Sequence, residues 1–264
     1  MDGFFNKYGR IIIIAVAICF VLLYLTPMRN VVGSSINGFA GNFANKVGES
    51  LGTVKMPDGS NNIKREPSSM LMKANGDRND SSFNGKIPSS ATKIMFTDEK
   101  APKGVETVDL TAAQDGDVVG WLDGTTWKIS TQDSKKSVTF NADSSYMFFD
   151  GGTGRIKEIQ FNNIDTRQVE SMDSLFVMCK GLTSLDLNGF DTHNVKNMNS
   201  MFQDCINLER LDLSGFDTSK VKNMIAMFYG CNKLNSVKVR SQTDIDNFKT
   251  KSIWISNNTK FEIK

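Results

Sequence analysis

Cys179, Cys205 and Cys231 stand 26 residues apart, an interval that would stack three thiols in one column. Thiolates bind soft metals and exchange disulfides, so a metal or redox site is the chemistry such a column could do. The plainer counterpart is a ladder of small buried groups, since free cysteine is among the most buried residue types. A disulfide between neighbours would leave one thiol over. Asp165, Asp191 and Asp217 form a second column, each followed by threonine. Stacked carboxylates could ligate calcium; more simply, each could accept backbone amides within its own turn. Met172, Met198 and Met224 make a third column, expected to fill core gaps.

Other chemistry is thin. His193 is the sole histidine, which argues against a catalytic triad and a multi-histidine metal site. It stands in a repeat turn where the next unit has Ser219, an ordinary exposed position. Gly151-Gly152-Thr153-Gly154 lacks the spacing of a phosphate loop and reads as a turn. Thirty-one Lys plus Arg oppose 29 Asp plus Glu, for a net charge of +2, so no cationic footprint for nucleic acid is visible. The expectation is a non-enzyme without catalytic residues, cofactor or metal.

The elements that position these columns are repeats. Units of 26 residues begin at Ile156, Leu182 and Leu208, and a fourth starting at Leu234 breaks down after LNSVKV. Each opens with L-x-x-L-x-L, as in Leu182, Leu185 and Leu187, whose alternation predicts a short strand with one buried face. Its outward positions are the candidate binding face: Glu158, Gln160, Ser184, Asp186, Asn188, Arg210, Asp212 and Ser214. The second half places Met198, Met201, Phe202 and Cys205 at helical spacing, predicting about two helical turns, with Ser171, Asn197 and Asn223 as N-caps. Neither half can bury its face alone, so the units must stack. The expected fold is an α/β repeat solenoid.

The unit Leu208–Cys231 resembles the BspA-like leucine-rich repeats of bacterial and protist surface proteins, marked by LxxLDLSxFDTSxVxNMxxMFxxC. The resemblance spans roughly residues 86–264, including TVDLTAAQDGDVVGWLDGTTWKIS ahead of the repeats. It implies surface display and adhesion to a host or neighbouring-cell protein or glycan, without catalysis. Three full repeats and an N-terminal anchor imply a short, membrane-proximal binder.

Domain boundaries follow. Residues 1–28 form an N-terminal tail and signal anchor, because residues 11–25 are apolar or aromatic throughout and 11–28 would make about 27 Å of helix. A cleaved signal peptide is the rival. A prepilin is disfavoured, since Tyr8 stands where its glutamate belongs. Lys7 and Arg10 before the span predict a cytoplasmic N-terminus and an extracellular repeat domain, a single pass through the cell membrane. Residues 29–54 are a juxtamembrane helical segment, in which 31–51 either lie on lipid or form a homo-oligomer seam. Polar residues 55–90 read as a flexible stalk. Residues 91–155 form a β-rich N-terminal cap with a hairpin at Asp123-Gly124, and 138–155 look like an incomplete repeat. Three repeats fill 156–233. Residues 234–264 hold the partial repeat and a C-terminal cap, with short strands at SIWIS and KFEIK. The alternative function is a self-associating envelope scaffold.

Overall fold

A computed structural model describes residues 70–264. The predicted anchor, juxtamembrane helix and first part of the stalk lie outside them. Among the described residues no helix is long and apolar enough to cross a membrane.

The strand halves of the units become β6 (Glu158–Phe161), β8 (Ser184–Asp186), β9 (Arg210–Leu213) and β10 (Ser236–Val239). The last three lie parallel with Ser184, Arg210 and Ser236 in register, and β11 (Lys260–Ile263) adds to β10 at the edge. Alternation sends Leu185, Leu187, Leu211 and Leu213 into the core, as the period of two requires. A second sheet runs β2 (Val108–Asp109), β3 (Val119–Asp123), β4 (Thr126–Ser130), β1 (Lys93–Phe96), β6. Adjacent β6 and β8 share no ladder, so the first unit's strand joins the N-terminal sheet. β5 (Val138–Thr139) pairs in parallel with β7 (Ile164–Asp165). The hairpin forms with Gly124 at φ 61 as the first of two turn residues, where such a loop demands glycine.

The second half of each unit is not helical. It is a run of tight turns that starts at a β-bridge; Asp143, Ser171, Asn197 and Asn223 bridge one to the next. The backbone donors explain why. Met198, Ser200, Phe202 and Asp204 donate sideways to the carbonyls of Asn223, Ile225, Met227 and Tyr229 at 2.7–3.0 Å. A helix would have used these donors internally. Ser200 and Asp204 hold positive φ, as do Ser174 and Met178 in the coil before and Ala226 and Gly230 in the coil after. These left-handed residues keep Met201, Phe202 and Cys205 on one side at a spacing that mimics a helix face. The expected N-caps act as turn caps instead: the Asn197 Oδ1 accepts from the amide of Asn199, and the Asn223 Oδ1 from that of Ile225.

Aromatic rings stack along the repeat axis. Phe148, Phe176, Phe202 and Phe228 lie 5.0, 5.5 and 5.9 Å apart, within 8° of parallel. Phe148 belongs to the incomplete repeat, whose amides at Ser144, Tyr146 and Phe148 donate to the next coil like the others.

Two expectations fail at the ends. Residues 70–90 are no flexible stalk. Met70, Leu71, Met72, Phe83 and Ile87 are buried, and Leu71 donates to the Thr139 carbonyl at 2.8 Å. Their few apolar side chains suffice because they all land on the open end of the core, Phe83 edge-on to Phe148. SIWIS is a loop rather than a strand, with Trp254 at φ 61. Before it stands an unforeseen helix, α1 (Gln242–Lys251), N-capped by Ser241, whose hydroxyl accepts from the Asp244 amide. Phe248 of α1 closes the ring stack, 5.7 Å from Phe228. Replacing Phe202, which is stacked on both faces, by alanine should cost about 3–5 kcal/mol. The check is a urea transition with a lower midpoint and an unchanged slope.

Candidate functional site

The outward strand positions build one shallow surface. Ser184, Asp186, Arg210 and Asp212 line a groove of about 250 Å³ together with Ser236 and Lys238. The last two come from the broken fourth unit, where LNSVKV repeats the alternation of Leu185 and Leu187 and so could have revealed them. Glu158 and Gln160 do not join this groove, because β6 belongs to the other sheet; Glu158 pairs with Lys93 at 3.1 Å. Asn188 and Ser214 lie just past their strands, where their amides donate to the carboxylates of Asp186 and Asp212. The face carries two rows across the strands, Asp186, Asp212 and Lys238 in one and Ser184, Arg210 and Ser236 in the other. Burial pushes the Asp212 carboxyl up, but the Ser214 hydrogen bonds and Lys264 and Lys238 outweigh it, so its net shift is downward.

The cysteine column is a set of free, buried thiols. Each donates to a carbonyl of the preceding coil: Cys179 to Phe148 at 3.2 Å, Cys205 to Phe176 at 3.0 Å and Cys231 to Phe202 at 2.9 Å. The column therefore binds coil to coil as well as filling space. Burial pushes the Cys205 thiol far up, and the neighbouring Cys205 together with burial does the same to Cys231.

The aspartate column is engaged within its turns. Asp165, Asp191 and Asp217 accept the amides of Arg167, His193 and Ser219 at 2.9–3.1 Å. Each also meets a basic side chain, in order Arg167, His193 and Arg240. Among the described residues no group of three or more His, Cys, Asp or Glu could hold a metal ion. His193 is exposed beside Asp191.

The threonines after these aspartates are buried and link the coils. The Thr166 hydroxyl accepts from the Asp191 amide and donates to the Asp191 carbonyl, and Thr192 does the same with Asp217. Thr218 has no further coil to meet, and the carboxylate of buried Asp244 on α1 takes its hydroxyl and amide instead. Burial works against that charge, while Ser241, Thr218 and Arg240 hold the carboxyl below its usual range. This role was missed in the sequence, although Ser241 followed by Asp244 carries a helix-start signature.

With this geometry, the matched family can be placed. Residues 142–264 match the family described as Mycoplasma protein of unknown function, DUF285. The match starts beside Asp143, the first member of the bridge column, and runs through β11. No curated protein and no solved structure significantly matches the chain.

Two outcomes are expected. Cys179, Cys205 and Cys231 should resist a thiol reagent in the native protein and react on unfolding, read by mass spectrometry of their peptides. The Asp217 carboxyl is held down to about 2, first by the Ser219 amide and then by the Ser219 side chain and Arg240. Because its folded value is depressed, its stabilisation is complete above about pH 4 and lost as pH falls toward 2. Between pH 5 and pH 2 the native chain should lose about 1–2 kcal/mol more than Asp217→Asn, a figure discounted for partial exposure. Urea midpoints at the two pH values would measure this.

Proposed function

We propose that the chain is a non-catalytic binding module, a short leucine-rich-repeat solenoid of BspA-like type displayed outside the cell membrane. In this reading residues 11–28 anchor it, and it engages a host or neighbouring-cell protein or glycan. The observation that carries the reading is the parallel array β8, β9, β10, which sets Ser184, Arg210 and Ser236 side by side on one open surface. Short parallel strands at a fixed repeat present residues in rows, and solenoids commonly use such a face for partners. Beside the Arg210 row runs the row Asp186, Asp212 and Lys238, and this surface of mixed charge suits a polar ligand of complementary charge, giving orientation more than raw affinity.

The DUF285 match supports a shared architecture for residues 142–264 and says nothing of the ligand. Residues 70–141 belong to the same working body in this reading, because their β1 supplies the partner that β6 would otherwise lack.

Protease treatment of intact cells should remove the repeat domain. Protection until the membrane is broken would sink the outside placement. Beads coated with the full chain should adhere to some member of a panel of immobilised matrix proteins and glycans. The double variant Arg210→Glu with Lys238→Glu should cut that adhesion at least tenfold without moving the urea midpoint; equal adhesion would exclude the strand face.

A further inference from the structure

Along the turn runs the ladder between coils has a direction, and it runs out at the last coil. Phe176 and Met178 donate their amides to the carbonyls of Met201 and Gln203 at 2.9 and 2.7 Å. Phe202 and Asp204 donate to those of Met227 and Tyr229 at 2.9 and 2.7 Å. The equivalent amides of Phe228 and Gly230 have no partner among the described residues. Helix α1 closes the aromatic core at this end through Phe248, yet it leaves these two donors unmatched. Facing an open groove, these donors are left to water, and a carbonyl brought into the groove would take its place.

The surroundings answer to a ligand. Phe228 and Gly230 line a groove of about 300 Å³ whose other wall is residues 254–257. Trp254 in that wall is 64% exposed, its ring edge-to-face with Tyr229 at 5.2 Å. Its φ of 61 places a bulky residue in the left-handed region, at a cost of about 1–2 kcal/mol. On its other side Trp254 borders a second groove of about 550 Å³. Ser252 lines that groove, 5% exposed, and its hydroxyl has no partner among the described residues. The narrower groove has no carboxylate in its walls to repel an incoming carbonyl.

We propose that this end groove captures a peptide segment of another protein. Two of its carbonyls, two residues apart, accept from Phe228 and Gly230, and an apolar side chain beside them rests on Trp254. The spacing carries the choice of ligand. The same donors in the two preceding coils are met by carbonyls of alternate residues, so a peptide backbone is the acceptor row that this edge already fits. An acyl chain would leave both donors unpaired. Addition of a segment to an exposed backbone edge is a known physical route to recognition, with pockets for side chains supplying selectivity. The inference does not rest on the strand face, whose variants leave this groove intact.

The probe is a capped synthetic peptide with the sequence of residues 197–204, which contains the carbonyls that coil 171–179 uses. Titrated into the full chain, it should give saturable binding and change the fluorescence of Trp254, since Trp121 and Trp127 are 1% and 2% exposed. Hydrogen exchange of the segment 226–231 should slow at least tenfold on binding. Trp254→Gly keeps the left-handed backbone, so it should fold and yet weaken binding at least tenfold, while Trp254→Phe retains most of it. The strand-face double variant should bind the peptide normally. The proposal is overturned by absence of saturable binding up to millimolar peptide, or by equal affinity in Trp254→Gly. It is also overturned if the amides of Phe228 and Gly230 in the free chain are as protected as those of Phe202 and Asp204. Binding of neutral oligosaccharides in place of the peptide, or self-association abolished by Trp254→Gly, would assign the groove to a different occupant.

Discussion

The coils of the repeats are tied to their neighbours by backbone hydrogen bonds that run sideways. Along the turn runs they go from an amide in one coil to a carbonyl in its successor; ahead of the turn runs they go backward, from Lys196 to Glu170 and from Lys222 to Lys196. This ladder constrains the rest. It fixes the register of the turn runs, which survives even in the first coil, where Asp143 and its bridge partner Ser171 stand 28 residues apart and Ser144, Tyr146 and Phe148 still find carbonyls opposite. It also holds the left-handed residues in each turn run, a conformation costing about 1–2 kcal/mol per non-glycine residue. With the backbone so fixed, identical columns face identical columns. Phenylalanine then stacks on phenylalanine within 8° of parallel, and each thiol reaches the carbonyl of the coil behind it. The side-chain columns are thus consequences of backbone register as much as causes of it.

The domain has two unlike ends, and each is closed by different chemistry. At the N-terminal end the problem is apolar, and Leu71, Met72 and Phe83 cover it without belonging to any repeat. At the C-terminal end it is largely polar. Thr218 needs the acceptor that a following coil would have supplied, and Asp244 supplies it from a helix. Arg240 then answers the buried carboxylate, meeting Asp217 with the same guanidinium. Breaking one partner would leave a charge uncompensated, so this cluster must be kept whole.

The strand halves and the incomplete repeat were legible from residue pattern, since a period of two over six residues is the signature of a half-buried strand. The second half was not. Met198, Met201, Phe202 and Cys205 satisfy a helical period, but periodicity reports only which side chains share a face and is blind to where the amides point. Stacking offered those amides partners in the neighbouring coil, and tertiary pairing prevailed over the local reading. The same blindness hid the role of residues 70–90. Their composition is polar, and only three-dimensional placement shows that the few apolar side chains all meet one open end. On the candidate face, Ser184, Asp186, Arg210 and Asp212 were readable, while the exclusion of Glu158 and Gln160 required knowing that β6 changes sheets.

That change of sheet also decides where the open strand face lies. Because β6 pairs with β1, the open strand face begins only at β8, and it ends at β11, an edge guarded by Lys260 and Lys264. Charged residues on an edge strand discourage further pairing. The narrower groove on the turn side of the same end has no charged residue in its walls: Trp254 is exposed there, and Phe228 and Gly230 keep their donors. One end of one domain therefore resists backbone addition along its strands and permits it along its turns. An end merely left unfinished would give no reason for that asymmetry. Recognition by rows of side chains on one face and by open donors on another, as proposed above, would account for it.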